Sequence, residues 1–391
     1  MQLRPHQEQA VKAMLRNTKG QIIVPTGGGK TMCMIDDAMN EFSRSYMGQT
    51  IVVVAPRILL ANQLSAEFLE FIDNAEVLHV HSGETRHYST TQASRISVWS
   101  AKNCAFNQII FTTYHSLHRI QESGIHVDTI YFDEAHNSVQ KNFYSATEYF
   151  SNHAERCYFF TATPKHSRTP SKAGMNWTKT YGQVICQVPA PKLVNQGYIL
   201  PPKVEVYKTR ILEKDELVAD RDSEQMIDAL DNLDKNKVLI CAKSTKQIVN
   251  LVAHTKFVSE LAWRGYSYML ITSKTGAIID GEKVTREEFF DVLNAWGQDP
   301  DKRFVVLHHS ILSEGMNVKG LEAVLFMRSM DYIGISQTIG RVIRKGAKDK
   351  VFGLVCIPVY SKVGISTATK VEAVVDTIFN KGEAATTVIT R

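Results

Sequence analysis

The chain has 391 residues, with 45 lysines and arginines against 40 aspartates and glutamates, a net charge of +5. That length suffices for two α/β domains, each with its own core. Apolar residues make up 44% and charged residues 22%, which excludes a disordered or collagen-like chain. No run approaches the length of a membrane span and no signal pattern precedes Leu3, so a cytoplasmic protein with no membrane partner is expected. Six cysteines are scattered without C-x-x-C pairs, and neither His79-His81-His87 nor His308-His309 has metal-ligand spacing. Reduced thiols, structural histidines and no zinc are the expectation.

In chain order, the first strand is "QIIV", a β-branched run cut off by Pro25. Thr26, Gly27, Gly28 and Gly29 follow, then Lys30 and Thr31, and "MCMIDDAMNEF" continues with helical spacing. Glycines between a strand and a helix let backbone N–H groups surround phosphate oxygens, and the helix amino terminus adds partial positive charge. Lys30 would reach the β- and γ-phosphates of a nucleotide, and the Thr31 hydroxyl would ligate Mg²⁺. Val24 stands where the pattern G-x-x-x-x-G-K-[ST] has glycine, so by itself the loop also fits a glycine-rich turn with a surface lysine.

Further strands are "TIVVVAP", "AEVLHVH", "QIIFTTY", "TIYFDEAH" and "CYFFTATP", with helical stretches such as "RILLANQLSAEFLEFI" between them. The fifth strand ends in Asp133 and Glu134, a pair that can hold a metal ion and deprotonate a water opposite a phosphate loop. The sixth ends in Thr161 and Thr163, whose hydroxyls can bond groups at the sheet edge. Between Glu155 and Glu205 there is no acidic residue, while Lys165, Arg168, Lys172, Lys179, Lys192 and Lys203 fall there, with Tyr158, Trp177, Tyr181 and Tyr198 interspersed. Such a stretch attracts a polyanion, or is a solvated region short of carboxylates.

Glycine and paired prolines in "NQGYILPPKV" mark a boundary, giving domains 1–197 and 198–380 and a weakly packed tail, 381–391. The second domain offers "KVEVYK", "KVLICAK", "YSYMLIT", "RFVVLHH", "EAVLFMR" and "GLVCIPV". Strands alternating with helices imply mostly parallel α/β sheets covered on both faces. In "SQTIGRVIRKG", Gln337, Arg341 and Arg344 fall at helical spacing, so one face carries an amide and two guanidiniums suited to phosphate oxygens.

The ordered set "LRPHQEQAV", "PTGGGKT", "VAPRILLANQ", "TTYHSL", "DEAH", "TATP", "LSEGMNV" and "QTIGRVIRK" resembles superfamily 2 helicases and translocases with a DEAH box. The variant is similar to the DNA-acting branch of phage recombination helicases, RecG-like and XPB-like repair enzymes and restriction-enzyme motors. That branch commonly writes its loop P-T-G-x-G-K-T, which accounts for Val24. The resemblance implies two tandem RecA-like domains with ATP in a cleft between them, ATP and Mg²⁺ as cofactors, and a bacterial or phage-infected cell.

By the same resemblance, Gln7 reads adenine, with Arg4 beside it. Pro25, Thr26, Gly27, Gly28, Gly29, Lys30 and Thr31 form the phosphate loop. Asp133 holds the metal with Thr31, and Glu134 activates water. His136, Thr161 and Thr163 couple hydrolysis to movement. Gln337, Arg341 and Arg344 are the second domain's contribution, Arg344 being the finger. Gly315 lies in the ribose-side motif, where Asn317 stands in place of a frequent aspartate. Pro56, Arg57, Gln63, Thr112, Thr113 and Tyr114 of the first domain, with Lys243, Ser244 and Ser313 of the second, would follow a nucleic-acid strand. Lys165 and Arg168 would add to them.

The implied activity is an ATP-dependent DNA helicase or translocase acting on single-stranded, duplex or branched DNA with little base preference, with a partner protein supplying specificity. Three alternatives stand: an RNA-dependent ATPase, a duplex translocase without strand separation, and a nucleotide-dependent binding module without turnover.

Overall fold

The structure is a computed structural model describing residues 2–389, apart from 46, 209–212, 273, 310–319, 328–331, 345–351 and 360–361. The chain divides into two units, one formed by Met1–Pro189 with Ala384–Arg391 and the other by Ala190–Glu383. It leaves the first unit eight residues before the boundary expected at 197 and returns to it at the end.

The first unit is built on β1 (Lys19–Ile23), β2 (Thr50–Ala55), β3 (Ala75–Val80), β4 (Asn107–Thr113), β5 (Thr129–Phe132), β6 (Arg156–Thr161), a short β7 (Lys165–Ser167) and β8 (Val184–Gln187). Seven of them form one parallel sheet in the order β3-β4-β2-β5-β6-β1-β8. β2 is buried at every residue, as its unbroken "TIVVVA" requires of a strand covered on both faces. On one face Val52, Leu78, Ile110, Ile130, Phe132 and Phe159 pack with Phe143 and Phe150 of the helix Lys141–His153.

Strand order positions the site. β1, β6 and β5 are neighbours, in register with Ile23 opposite Thr161 and Phe132 opposite Phe159. Their carboxyl ends therefore bring together the glycine loop, the Thr161–Thr163 turn and the Asp133–Glu134 pair. In open parallel sheets ligands bind at those ends.

The second unit holds β9 (Pro202–Lys208), β10 (Lys237–Cys241), β11 (Ser267–Thr272), β12 (Gly276–Ile279), β13 (Glu282–Val284), β14 (Phe304–His308), β15 (Ala323–Phe326) and β16 (Gly353–Val359), in the order β13-β12-β11-β14-β10-β15-β16-β9. All pairings are parallel except those of the β11-β12-β13 meander. Val238, Ile240, Val305, Leu307, Leu325 and Cys356 form its core with Leu230, Ile248 and Leu261 of the covering helices.

The six strands read in each half are present, so the α/β expectation holds; β7, β8 and the β12–β13 hairpin are additional. Residues 381–391, expected as a loose tail, contain β17 (Thr387–Ile389), which pairs in parallel with β7, while Ile389 packs against the first core. The run "TTVIT" is β-branched, which favours an extended strand once an edge is offered. Five cysteines are buried and Cys104 is exposed, all of them free thiols. Among the described residues no helix is long and apolar enough to cross a membrane.

Candidate functional site

The glycine loop leaves β1 with Val24 N–H donating to Thr161 O (3.0 Å), and Gly28 N–H closes a turn onto Pro25 O (2.9 Å). Gly27 (φ 85°) and Gly29 (φ 77°) are left-handed, a conformation that disfavours a Cβ. At Gly29 a Cβ would also lie 2.4 Å from Gln7 Nε2. Lys30 and Thr31 open the helix Lys30–Arg44, whose first turn carries no acidic residue to compete with an anion.

The segment before the loop grips it from behind. Arg4 N–H donates to Gln7 Oε1 (2.8 Å), and Gln7 Nε2 donates to Gly29 O (3.1 Å) and Gly28 O (3.4 Å). The buried His6 ring bonds Gly28 O through Nε2 (2.7 Å), so that nitrogen carries the proton. His6 is absent from the sequence reading, although it stands directly before Gln7.

Across the loop, Lys30 Nζ lies 3.5 Å from Glu134 Oε1, and His136 Nδ1 lies 3.6 Å from Glu134 Oε2. His136 Nδ1 also bonds Thr161 Oγ1 (3.1 Å) and approaches Thr163 Oγ1 (3.4 Å), while Thr163 N–H donates to Thr161 Oγ1 (3.0 Å). Asn137 Nδ2 lies 3.3 Å from His136 Nε2, which makes Nε2 the acceptor and Nδ1 the protonated nitrogen of a neutral ring. Residues read separately as catalytic and coupling groups thus form one buried polar chain, Lys30–Glu134–His136–Thr161–Thr163.

Asp133 and Glu134 are each 6% exposed. Burial, then the adjacent Glu134, raise the Asp133 carboxyl above the usual carboxylate range, while Lys30 pulls it the other way. A buried carboxyl in need of positive charge, with the Thr31 hydroxyl available as a second oxygen donor, suits a hard dication such as Mg²⁺. One further group among the described residues could hold a metal: His126, Asp128 and Glu155, whose His126 Nε2 lies 3.4 and 3.3 Å from the two carboxylates. His126 and Glu155 are exposed, and such surface ion pairs are common without a metal.

The residues expected along a nucleic-acid strand differ in exposure. Thr112, Thr113 and Tyr114 are buried; Thr112 Oγ1 donates to Val80 O (2.9 Å) and Tyr114 O–H to Asp133 O (2.8 Å). Pro56 is buried, Arg57 is exposed, and half-buried Gln63 donates to Glu67 Oε1 (2.8 Å). In the second unit Lys243 is exposed and Ser244 caps the helix Thr245–His254 by accepting from Gln247 N–H (3.1 Å). Ser313, Gly315 and Asn317 lie outside the described residues.

The basic stretch also resolves into parts. Arg168, Lys172 and Lys179 are exposed and Lys165 half-buried in the first unit, but Lys192 and Lys203 belong to the second, where Lys203 pairs with Glu205 (2.8 Å). Tyr158 and Tyr181 are core residues; Tyr158 O–H lies 2.7 Å from Met14 O and Tyr181 O–H lies 3.0 Å from Ser138 Oγ. Trp177 is half-buried, edge-on to Tyr144 (5.7 Å).

In the second unit Gln337 and Arg341 are buried on the helix Tyr332–Val342. Arg344 is past the helix end, in an isolated bridge with Ile199, so the two arginines do not share one helix face as their spacing suggested. There Ile343 O accepts Leu200 N–H (2.7 Å), a partner distant in sequence, in place of a helical donor.

Residues 1–166 match the family described as type III restriction enzyme, res subunit. The chain is 24% identical over 360 residues to a DEAD-box ATP-dependent RNA helicase 46 of Arabidopsis thaliana, an alignment covering 88% of this chain and 49% of that protein. It spans about half the length of that curated relative. Among solved structures it is similar to the type ISP restriction-modification enzyme LlaBIII bound to DNA, with a TM-score of 0.78, 17% identity, and coverage of 100% of this chain and 31% of that one. A putative HsdR subunit of a type I restriction enzyme from Vibrio vulnificus YJ016 gives 0.64 at 15% identity, covering 98% and 67%. The fold is therefore that of tandem RecA-like α/β domains with mostly parallel sheets. The family match covers residues 1–166, and across the rest of the chain the likeness is one of fold.

Proposed function

We propose that this chain is an ATP-driven DNA motor, a helicase or translocase of the DEAH-containing, DNA-acting branch that serves restriction, repair or recombination. The observation that carries the reading is the buried chain from Lys30 through Glu134 to His136 and Thr161, at the mouth of the left-handed glycine loop. Its residues match a hydrolytic site: Lys30 for phosphate charge, Glu134 as base for the attacking water, and neutral His136 to pass a shift at Glu134 to the Thr161–Thr163 turn. When bound, Mg²⁺ held by Thr31 and Asp133 would neutralise developing phosphate charge.

Gln337, Arg341 and Arg344 are proposed to complete the site from the second unit, with Gly315 and Asn317 toward the ribose. A motor of this kind alternates between two states, and a nucleotide that biases one of them advances it along a strand. Replacing Lys30 with Ala should abolish hydrolysis. Replacing Arg344 with Ala should leave ATP binding nearly intact and cut turnover about 10³-fold or more, as for other finger arginines; near-normal kcat would remove Arg344 from that role.

The deciding experiment is ATP hydrolysis measured side by side with single-stranded, duplex and branched DNA and with RNA. Stimulation by DNA alone supports the proposal. A second reading, an RNA-dependent ATPase, is favoured by the identity to an RNA helicase, and stimulation by RNA alone would replace the first reading with it. Turnover with strand displacement separates a helicase from a translocase, and absence of any turnover would leave a nucleotide-dependent binding module.

A further inference from the structure

Glu134 is a left-handed residue at φ 45° and ψ 52°, one of four non-glycine residues with positive φ among those described. A side chain with a Cβ occupies that region only where its surroundings hold it there, and such residues gather at functional sites. What holds Glu134 can be read from the two peptide groups that flank it. The carbonyl before it, Asp133 O, accepts the Tyr114 hydroxyl at 2.8 Å. The carbonyl after it, Glu134 O, accepts both the backbone N–H of Asn137 (3.0 Å) and Asn137 Nδ2 (3.0 Å). With both peptide planes fixed, the two dihedrals of Glu134 are fixed between them.

The donors are themselves held. Tyr114 is 1% exposed, with its ring packed against Phe132 (6.1 Å) and Phe143 (5.6 Å). Its backbone N–H donates to Ala55 O (3.1 Å), so this one residue joins the ends of β2, β4 and β5. Asn137 spends its other Nδ2 contact on His136 Nε2 (3.3 Å), which ties the clamp to the tautomer of His136.

We infer that Tyr114 and Asn137 are positioning residues that clamp the peptide groups on either side of Glu134 and so aim its carboxylate at Lys30 and the water it is to activate. The inference rests on the reading of Glu134 as the base. Misplacing a reacting group by about 1 Å costs on the order of 10²-fold in rate, and releasing either peptide plane permits a displacement of that size.

The test uses the full chain with Tyr114→Phe, which keeps the ring in the core, and Asn137→Ala. Each should lower kcat by about 10²-fold while KM for ATP and the affinity for a fluorescent ATP analogue stay within about twofold, because the lost interaction bears on the reaction and not on binding. In a Glu134→Gln background, where the base is gone, neither should lower the residual rate further. Unchanged kcat in either single variant overturns the clamp, and so does an equal loss in the Glu134→Gln background, which would mark a general structural role. If the unaltered chain hydrolyses no ATP with any nucleic acid, the functional reading fails and the clamp is judged on a crystal structure of the Tyr114→Phe, Asn137→Ala double variant. Glu134 leaving positive φ then supports it; Glu134 keeping positive φ overturns it.

Discussion

His79 shows how much a single buried ring can be made to depend on its neighbours. Gly83 N–H donates to His81 Nδ1 (3.3 Å), which leaves His81 Nε2 protonated to donate to His79 Nδ1 (3.0 Å); His79 Nε2 then donates to Ser65 Oγ (3.0 Å). His87 stacks on the same ring at 5.3 Å. Every nitrogen of His79 and His81 is used in the neutral form, so an added proton has no acceptor. Burial, with His81 and His87 nearby, accordingly lowers His79 from 6.5 to about 3. An unfolded chain takes up that proton below about 6.5 and the folded chain does not until about 3, so folding stability from this residue is full above 6.5 and is lost as pH falls through that window. Replacing His79 with Gln should flatten the fall of Tm between pH 6.5 and 4, at a cost near neutrality of about 1–3 kcal/mol for the bonds it breaks. An unchanged slope of Tm against pH would show that the titration lies elsewhere.

At the scale of elements, the helix Lys30–Arg44 has to be held at both ends for its amino terminus to serve a phosphate. Its far half is tied to the sheet by charge. Asp37, fully buried, takes Arg156 NH2 on Oδ1 (2.7 Å) and both Arg156 NH1 (3.0 Å) and the Tyr131 hydroxyl (2.6 Å) on Oδ2, while Arg156 also reaches Glu41 at 2.9 Å. Removing the guanidinium leaves a carboxylate uncompensated in the core. Arg156→Met should therefore cost about 3–5 kcal/mol in urea unfolding, and adding Asp37→Leu should recover much of it; a cost below about 1 kcal/mol would mean water reaches Asp37. None of this was legible in the sequence, because Asp37, Tyr131 and Arg156 are distant in sequence and each reads as ordinary by itself. The long strands were legible because β-branched runs with no polar break can only be buried on both faces. The β12–β13 hairpin carried a signal of its own in the sequence: Asp280-Gly281, both at positive φ (45° and 91°), directly after the apolar run Ala277–Ile279. The burial of Tyr158 and Tyr181 was not legible in the basic stretch, since a local lack of carboxylates says nothing about which face of a strand or helix an aromatic takes. The positions of the glycine loop and the acidic pair at strand ends were legible because each is a contiguous stretch that follows directly on an apolar run.

For the whole molecule the open matter is how a chain of small net charge would hold a polyanion. With Tyr158 and Tyr181 in the core and Trp177 half-buried, the expected stretch offers little aromatic surface for bases to stack on. What remains exposed is charge: Arg57, Arg168, Lys172 and Lys179 in the first unit and Lys243 in the second. Cations that meet phosphates release condensed counterions, so each contact adds a slope of about −0.9 to log K against log salt on duplex and about −0.7 on single strands. Stacking adds affinity that is far less sensitive to salt. A strand held through these cations should therefore show a steep salt slope, nearly equal affinity for sequences of different base composition, and a slope that becomes shallower by about one contact's worth when Arg57 or Arg168 is replaced by Ala. Fluorescence anisotropy with labelled oligonucleotides across a salt series measures all three. A flat salt response, or an affinity that follows base composition, would mean that nucleic acid is gripped by surfaces other than these cations.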